Sequence, residues 1–341
     1  MVPYLLFLLV TFILSRKVKQ SESYLIPLWI FASLFVGLRK GVGTDYDNYA
    51  DIYDTYYFYL ELGFQYLADF LNNRRLPVWT LFLTIASLTY FFIYATIYKN
   101  KDIDKFGASL LLTLCTYSFV CNGIRQGLAI AIFLFATRFI ETRKWYVYIL
   151  LVLFASLFHT SILLCLPIYF LRNKRLSKWS YVIIYIISFI FTQMDLQSLT
   201  SPFMVFIEGN ERYNNLLDSD LYNKSYFSLG VLSMVLNNII ILWLSLKTDM
   251  EKKRPLWFNL FFISIVFVNM RVASPLFVRV QVIFGWFVYL LIPIIIETIK
   301  NKQLRWLFIW YFILYTTVTT IYYILSPESK LYPYHDVVGI F

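Results

Sequence analysis

The chain has 341 residues, of which 60% are hydrophobic, 21% aromatic and only 15% charged, where soluble chains average about 25% charged. That balance excludes a water-soluble globular protein, so length here measures membrane spans. The net charge of +10 would suggest nucleic acid in a soluble chain, but the basic residues are parcelled into short segments between apolar stretches, where they set topology.

The first apolar stretch follows Met1-Val2-Pro3 with no basic residue before it, so a cleaved signal peptide is not expected. It ends at the first of six basic clusters: Arg16/Lys17/Lys19, Lys99/Lys101/Lys105, Arg138/Arg143/Lys144, Arg172/Lys174/Arg175/Lys178, Lys247/Lys252/Lys253/Arg254 and Lys300/Lys302/Arg305. Positive charge marks the cytoplasmic side, so each segment between clusters crosses an even number of times. Residues 20–98 are predicted as two spans around a long outer loop, 39–75. Within it, 55–72 mixes aromatic and polar residues at helical spacing, which predicts an amphipathic helix lying in the interface. Residues 106–137 read as a hairpin with its outer turn near 121–126. Residues 145–171 are basic at both ends and read as a tight hairpin with His159 near its turn; one long tilted helix is the alternative. Further spans fall near 179–194, 226–246, 257–272, 275–296 and 306–325. The fold class is all-α and polytopic, with about 10 to 12 transmembrane helices of the ~20-residue length a bilayer requires. Loops 39–75 and 194–225 and the tail 326–341 face outward. No repeat or linker interrupts the chain, so 1–341 reads as a single membrane domain.

Cys115, Cys121 and Cys165 lie in or beside apolar segments, and neither they nor the 2 histidines have zinc spacing. With no Gly-rich phosphate loop either, no metal and no cofactor are expected.

Ionisable residues inside apolar segments are costly and are functional candidates by default. Four qualify: Arg125, in Asn122-Gly123-Ile124-Arg125-Gln126; His159, in Leu157-Phe158-His159-Thr160-Ser161; and Arg271 and Arg279, which flank a turn at Ser274-Pro275. All four fall near the outer face. Each arginine alone could be snorkelling to the headgroups; together at one depth they suit an oxygen-rich anion, which the guanidinium fork binds bidentately. The densest polar block is Arg39-Lys40-Gly41-Val42-Gly43-Thr44-Asp45-Tyr46-Asp47-Asn48-Tyr49, with acids continuing at Asp51, Asp54, Glu61 and Asp69. Carboxylates beside flat tyrosine faces suit a sugar, and an aromatic belt with solvated acids is the alternative. Gly41 and Gly43 point to a turn needing positive φ. Asp45-Tyr46-Asp47 also fits the Asp-x-Asp pattern of nucleotide-sugar enzymes, but lies on the side where nucleotide sugars are absent.

Several of these blocks together resemble the EpsG-like branch of Wzy-type polysaccharide polymerases. They are Leu38-Arg39, Gly43-Thr44-Asp45-Tyr46 with Tyr49, Glu61-Leu62-Gly63-Phe64, Arg125-Gln126 with Ala129 and Ala131, Phe158-His159-Thr160-Ser161, Leu166-Pro167, Arg279 and Tyr332-Pro333-Tyr334. The matches keep family order along nearly the whole chain. The resemblance implies a GT-C-like integral-membrane glycosyltransferase of the bacterial cytoplasmic membrane. Its active site would face outward, and it would join polyprenyl-pyrophosphate-linked oligosaccharide repeat units without a nucleotide sugar or metal. Donor and acceptor lipids, the bilayer and a chain-length regulator are the partners implied; nucleic acid is not.

Such a transfer needs a clamp for the leaving pyrophosphate and a base for the acceptor hydroxyl. Arg125 and Arg279, supported by Arg39 and Arg271, are the expected clamp. His159, with a reference pKa of about 6.5, is the preferred base, and Asp45 the second candidate. Gln126, Asp47, Tyr46, Tyr49, Glu61 and Arg212 are expected to bind substrate. Two rivals stand beside this assignment. A lipid-linked oligosaccharide flippase should spread its charges through the membrane depth over two similar halves. A membrane O-acyltransferase should pair its histidine with a carboxylate, and no carboxylate lies within ten residues of His159 in the sequence.

Overall fold

The computed structural model describes residues 1–55, 61–194, 196–208, 229–271 and 273–340. About 80% of the chain is helical; among the described residues there is no strand, only an isolated bridge between Arg39 and Asp336. The all-helical expectation therefore holds. The helices gather into two compact units, one comprising Met1–Ile162 with Ile299–Phe341 and the other Leu163–Thr298.

The first unit contains α1 (Val2–Val18), α2 (Leu25–Gly37), α3 (Tyr46–Thr55), α4 (Leu62–Asn72), α5 (Trp79–Lys99), α6 (Lys105–Asn122), α7 (Ile124–Glu141) and α8 (Trp145–Ser156). Local chemistry sets several boundaries. Pro3 opens α1, where its missing N–H costs nothing. The Asp104 carboxylate caps α6 by accepting from the N–H groups of Phe106 and Gly107 at 3.3 and 3.0 Å. Gly123 alone separates α6 from α7, which puts the predicted hairpin turn where it was expected. Helix α7 is buried almost all round, from Ile124 through Leu134, and α2, α5 and α8 pack near it in a chain of neighbouring pairs, α2 on α5, α5 on α7 and α7 on α8.

The second unit contains α9 (Lys178–Ser188), α10 (Gln197–Glu208), α11 (Leu229–Lys247), α12 (Met250–Lys253), α13 (Pro255–Met270), α14 (Pro275–Gly285) and α15 (Phe287–Thr298). Helix α13 is the apolar centre, with Trp257, Phe258, Leu260 and Phe261 buried. The chain then returns to the first unit as α16 (Lys302–Leu325), begun by the Asn301 side chain accepting from Leu304 N–H at 3.0 Å.

Among the described residues, three helices are long and apolar enough to cross a bilayer: 79–99, 230–247 and 302–325. A fourth span is available if α14 and α15, bent by 43° where they join, act as one. Helix α16 turns Trp306, Leu307, Trp310, Leu314, Val318 and Tyr322 outward, as a lipid-facing helix does. The sequence predicted about 10 to 12 spans of bilayer length, whereas five further apolar helical segments run only 10–17 residues. The stretch 275–296, expected as one span, is the bent pair. Residues 145–171 are not one tilted helix: α8 ends at Ser156 and a 3₁₀ segment covers Thr160–Leu171, leaving His159 at the break. The amphipathic helix expected over 55–72 is shorter, Leu62–Asn72, with Glu61 at its N-cap; 56–60 lie outside the described residues. Within the predicted loop 194–225, α10 forms over Gln197–Glu208, and Arg212 lies outside the described residues.

Candidate active site

Two polar side chains and one backbone N–H, from distant parts of the first unit, meet at one carboxylate. Glu61 Oε2 accepts from Arg125 Nη1, Glu61 Oε1 lies 3.2 Å from His159 Nδ1, and the Thr160 backbone N–H donates to Oε1 at 3.3 Å. Arg125 Nε donates to the Tyr49 hydroxyl at 3.2 Å. The guanidinium also stands 5.5 Å from the centre of the Tyr49 ring and 5.6 Å from that of Phe64, within cation–π range.

Each partner is placed by a local backbone device. Arg125 sits in the first turn of α7, where the helix dipole favours anions over cations; the Glu61 carboxylate supplies the missing negative charge. Glu61 precedes α4 with an extended backbone (φ −62°, ψ 139°), and its carboxylate does not cap its own helix. Instead, the first turn of α4 abuts the end of α8: Gly63 N–H donates to the Leu157 carbonyl at 2.8 Å and Phe64 N–H to the same oxygen at 3.3 Å. Unpaired donors at one helix start thereby satisfy an unpaired acceptor at another helix end. The approach needs glycine at 63, because a Cβ there would lie 2.7 Å from Leu157 Cβ and 2.8 Å from its carbonyl oxygen. His159 follows two residues later.

The arrangement is largely dry, with 9% of the Arg125 side chain, 10% of Glu61 and 6% of His159 exposed. Burial alone would raise the Glu61 carboxyl, but the His159 hydrogen bond and the Arg125 charge outweigh it and hold the group down to about 2, from an ordinary 4.5. Glu61 is therefore an ionised anchor and a poor proton acceptor.

Other predicted site residues have different surroundings. Arg39 has no exposed surface. Its guanidinium donates to three main-chain carbonyls, Val42 at 3.0 Å, Val36 at 2.7 Å and Cys121 at 2.9 Å, and lies 4.8 Å from the Phe82 ring centre. It staples the 39–44 loop to the end of α6. Gly43 continues that staple with φ +103°; its N–H meets the Lys330 carbonyl at 2.8 Å, and the Asn122 side chain takes the next N–H, from Thr44, at 2.9 Å. Gly41 also adopts positive φ, as its sequence context predicted.

Tyr46 and Tyr49, expected as sugar platforms, are packed rings. Tyr46 stacks on Phe82 at 4.5 Å and 10°, and both tyrosines are buried. Helix α3 shows the solvent Asp47, Asn48, Asp51 and Asp54 instead. Asp45 is half-buried, accepts from the Thr44 hydroxyl at 3.2 Å and starts α3 through its carbonyl. Gln126 is buried next to Arg125 on α7. Arg271 and Arg279 belong to the second unit, on the two arms of the turn at Ser274-Pro275 as expected, where the Ser274 hydroxyl caps α14 by accepting from Leu276 N–H at 3.2 Å. Sequence reasoning ranked Glu61 among the substrate contacts and missed that it joins Arg125 to His159. The available signal was an acid immediately before a Gly-containing helix start, Glu61-Leu62-Gly63-Phe64.

Fold and site together define a helical membrane protein that carries, in its first unit, a buried guanidinium–carboxylate–imidazole group. A family model described as the EpsG family matches residues 23–335, which include every residue of that group. The chain belongs to the EpsG family, a Wzy-like polymerase family, and its role is polysaccharide-polymerase-like. No curated protein and no solved structure matches the chain.

Proposed function

We propose that the protein is a GT-C-like glycosyltransferase that polymerises polyprenyl-pyrophosphate-linked oligosaccharide repeat units on the outer face of a bacterial cytoplasmic membrane. An acceptor sugar hydroxyl attacks the anomeric carbon of the donor. The new C–O bond forms as the bond to the lipid pyrophosphate breaks, and the pyrophosphate leaves with the electron pair. The hydroxyl proton passes to His159. Arg125, oriented by Tyr49 and Glu61, offsets the charge that develops on the leaving group; Arg279 and Arg271, in the second unit, are proposed from the sequence as further phosphate-binding residues. Arg39 serves the site indirectly, through the loop it staples, and Asp47, Gln126 and Arg212 remain candidate sugar contacts. Asp45 is the second candidate base.

The observation that carries this reading is the convergence of Arg125 and His159 on one carboxylate, which gives the two roles a common place. The setting agrees with a lipid-anchored substrate. Leu62, Tyr66 and Phe70 form an exposed stripe on α4 at i, i+4 and i+8, and the Arg74 guanidinium lies 3.6 Å from the Phe70 ring centre in a cation–π contact. That suits a helix in the membrane interface, with the site at its N-terminus.

The test is elongation of purified lipid-linked repeat units. His159→Ala and Arg279→Ala are expected to remain in the membrane and to leave single units, each costing at least about a hundredfold in rate. Long polymer from both variants overturns the assignment. One observation favours a second reading: His159 does have a carboxylate partner, 98 residues away in sequence, as an O-acyltransferase would. Mass gain by an acyl group instead of elongation would select it, and translocation alone would select a flippase.

A further inference from the structure

We infer that Glu61 is a positioning residue for His159: its Oε1 takes the ring's Nδ1–H and thereby puts the proton-accepting lone pair on Nε2. The inference rests on His159 acting as the base in the reading above, but its structural half stands on geometry alone.

Two donors other than the imidazole already address the Glu61 carboxylate, Arg125 Nη1 at Oε2 and Thr160 N–H at Oε1. A carboxylate so surrounded is ionised, and an ionised carboxylate only accepts. The 3.2 Å approach of Oε1 to His159 Nδ1 is then a hydrogen bond only if Nδ1 carries the hydrogen. A neutral imidazole has one N–H, so Nε2 is left as the basic atom. When Nε2 takes a proton from an acceptor hydroxyl, the resulting imidazolium faces a carboxylate at hydrogen-bond distance and is stabilised where it forms.

The pairing is also held from the backbone. The Gly63 and Phe64 N–H groups dock on the Leu157 carbonyl, two residues before His159, so the same contact fixes both ends of the Glu61–His159 bond. Arg125, held by Tyr49 on its other side, restrains the second carboxylate oxygen. Glu61 thus cannot turn toward a ligand without releasing three partners, which separates a positioning role from the substrate contact the sequence suggested.

The chain's 2 histidines make the experiment direct. The second, His335, lies in the tail, and its carbonyl rather than its ring engages Lys40 N–H; His335→Gln leaves one imidazole to observe by ¹⁵N magnetic resonance of histidine-labelled protein in nanodiscs. At a pH where the two ring ¹⁵N shifts show a single N–H, His159 is expected to show protonated Nδ1 and unprotonated Nε2. Adding Glu61→Gln should populate the other tautomer and lower elongation by roughly a hundredfold or more, as loss of the correct tautomer does in other acid–base pairs. Glu61→Asp, ionised but shorter, should fall between. An Nε2–H tautomer in the His335→Gln chain overturns the inference, and does so even if the Glu61 variants fail to fold. A tautomer unchanged by Glu61→Gln overturns it equally. If the tautomer behaves as expected but no chain elongates repeat units, control of His159 by Glu61 stands and the polymerase reading falls.

Discussion

Glu61 Oε1 and His159 Nδ1 stand 3.2 Å apart although 98 residues separate them in the sequence, and Arg125 reaches the other oxygen of the same carboxylate from a third part of the chain. One anion thus balances a permanent cation and a titratable ring in a site that is nearly dry. This balance has consequences for acid stability, for the tolerance of neighbouring glycines and for which arginines can be replaced.

Glu61 should give the protein a measurable acid sensitivity. Its folded-state pKa is depressed to about 2 from 4.5, so the stabilisation is fully present above the unfolded value and is lost as pH falls from about 5 toward 2. The shift corresponds to an upper limit on the order of 3 kcal/mol. Melting temperatures of the unsubstituted and Glu61→Gln proteins in one detergent should therefore differ most near neutrality, narrow by about pH 3 and converge only toward pH 2. A gap constant between pH 7 and pH 3 would mean that the carboxylate is not held by these partners.

Gly63 should tolerate no side chain. A Cβ at this position would meet the Leu157 Cβ and carbonyl oxygen at 2.7 and 2.8 Å; the oxygen is backbone and the Cβ is bonded directly to the backbone Cα, so neither is a flexible side-chain tip. Gly63→Ala should cost about 1–3 kcal/mol, the usual range for forced overpacking, and should loosen the Glu61–His159 pair. The comparison is Gly41→Ala, where no atom lies within 4 Å but φ is +64°; it should cost about 1 kcal/mol from backbone strain alone. Thermal melting ranks the two, and an equal or larger loss from Gly41→Ala would contradict the steric account.

Much of the framework was legible in the sequence because it depends on local signals. The α6–α7 turn falls at Gly123, between basic clusters that bound the hairpin at both ends, and the positive φ at Gly41 and Gly43 followed from their spacing in a polar block. The break at His159 was visible as a charge-free stretch too short for two full spans. What could not be read was which charges pair. An arginine bonded to three main-chain carbonyls, as Arg39 is, looks in sequence like one awaiting a ligand, and tyrosines spaced i, i+3 and i+7 give no sign of whether their rings face inward or outward. The Glu61–His159 pair depends on a helix start meeting a helix end, a tertiary contact with no period of its own.

Arg39 should behave as a structural residue, in contrast to Arg125. Arg39→Lys keeps the charge but cannot span the carbonyls of Val36, Val42 and Cys121, because an ammonium lacks the planar fork. Losing two or three such charge-assisted bonds should cost about 3 kcal/mol or more, seen as reduced yield and a lowered melting temperature. Any protein that does fold with the 39–44 loop closed should retain its elongation rate per molecule. A stable Arg39→Lys protein with lost activity would return Arg39 to the clamp.

The tail should be required for the loop that Arg39 staples. Gly43 N–H bonds to the Lys330 carbonyl at 2.8 Å, Lys40 N–H to His335 at 2.9 Å, and Val337 N–H to Leu38 at 2.9 Å. Tyr334 adds an anchor, stacking on Phe35 at 4.6 Å and 10° and donating its hydroxyl to the Phe35 carbonyl at 2.6 Å. Ending the chain after Ser329 removes all of these and strips a ring from the Tyr4–Phe35–Tyr117 cluster, so the 38–44 loop should open and both stability and elongation should fall. Ending it after Val338 removes the exposed Gly339 and Ile340, together with Phe341, and should change neither. Protease cleavage within 38–44 reads the loop directly: the chain ending at Ser329 should be cut there much faster than the chain ending at Val338, and equal protection in both would show that the loop stands without the tail.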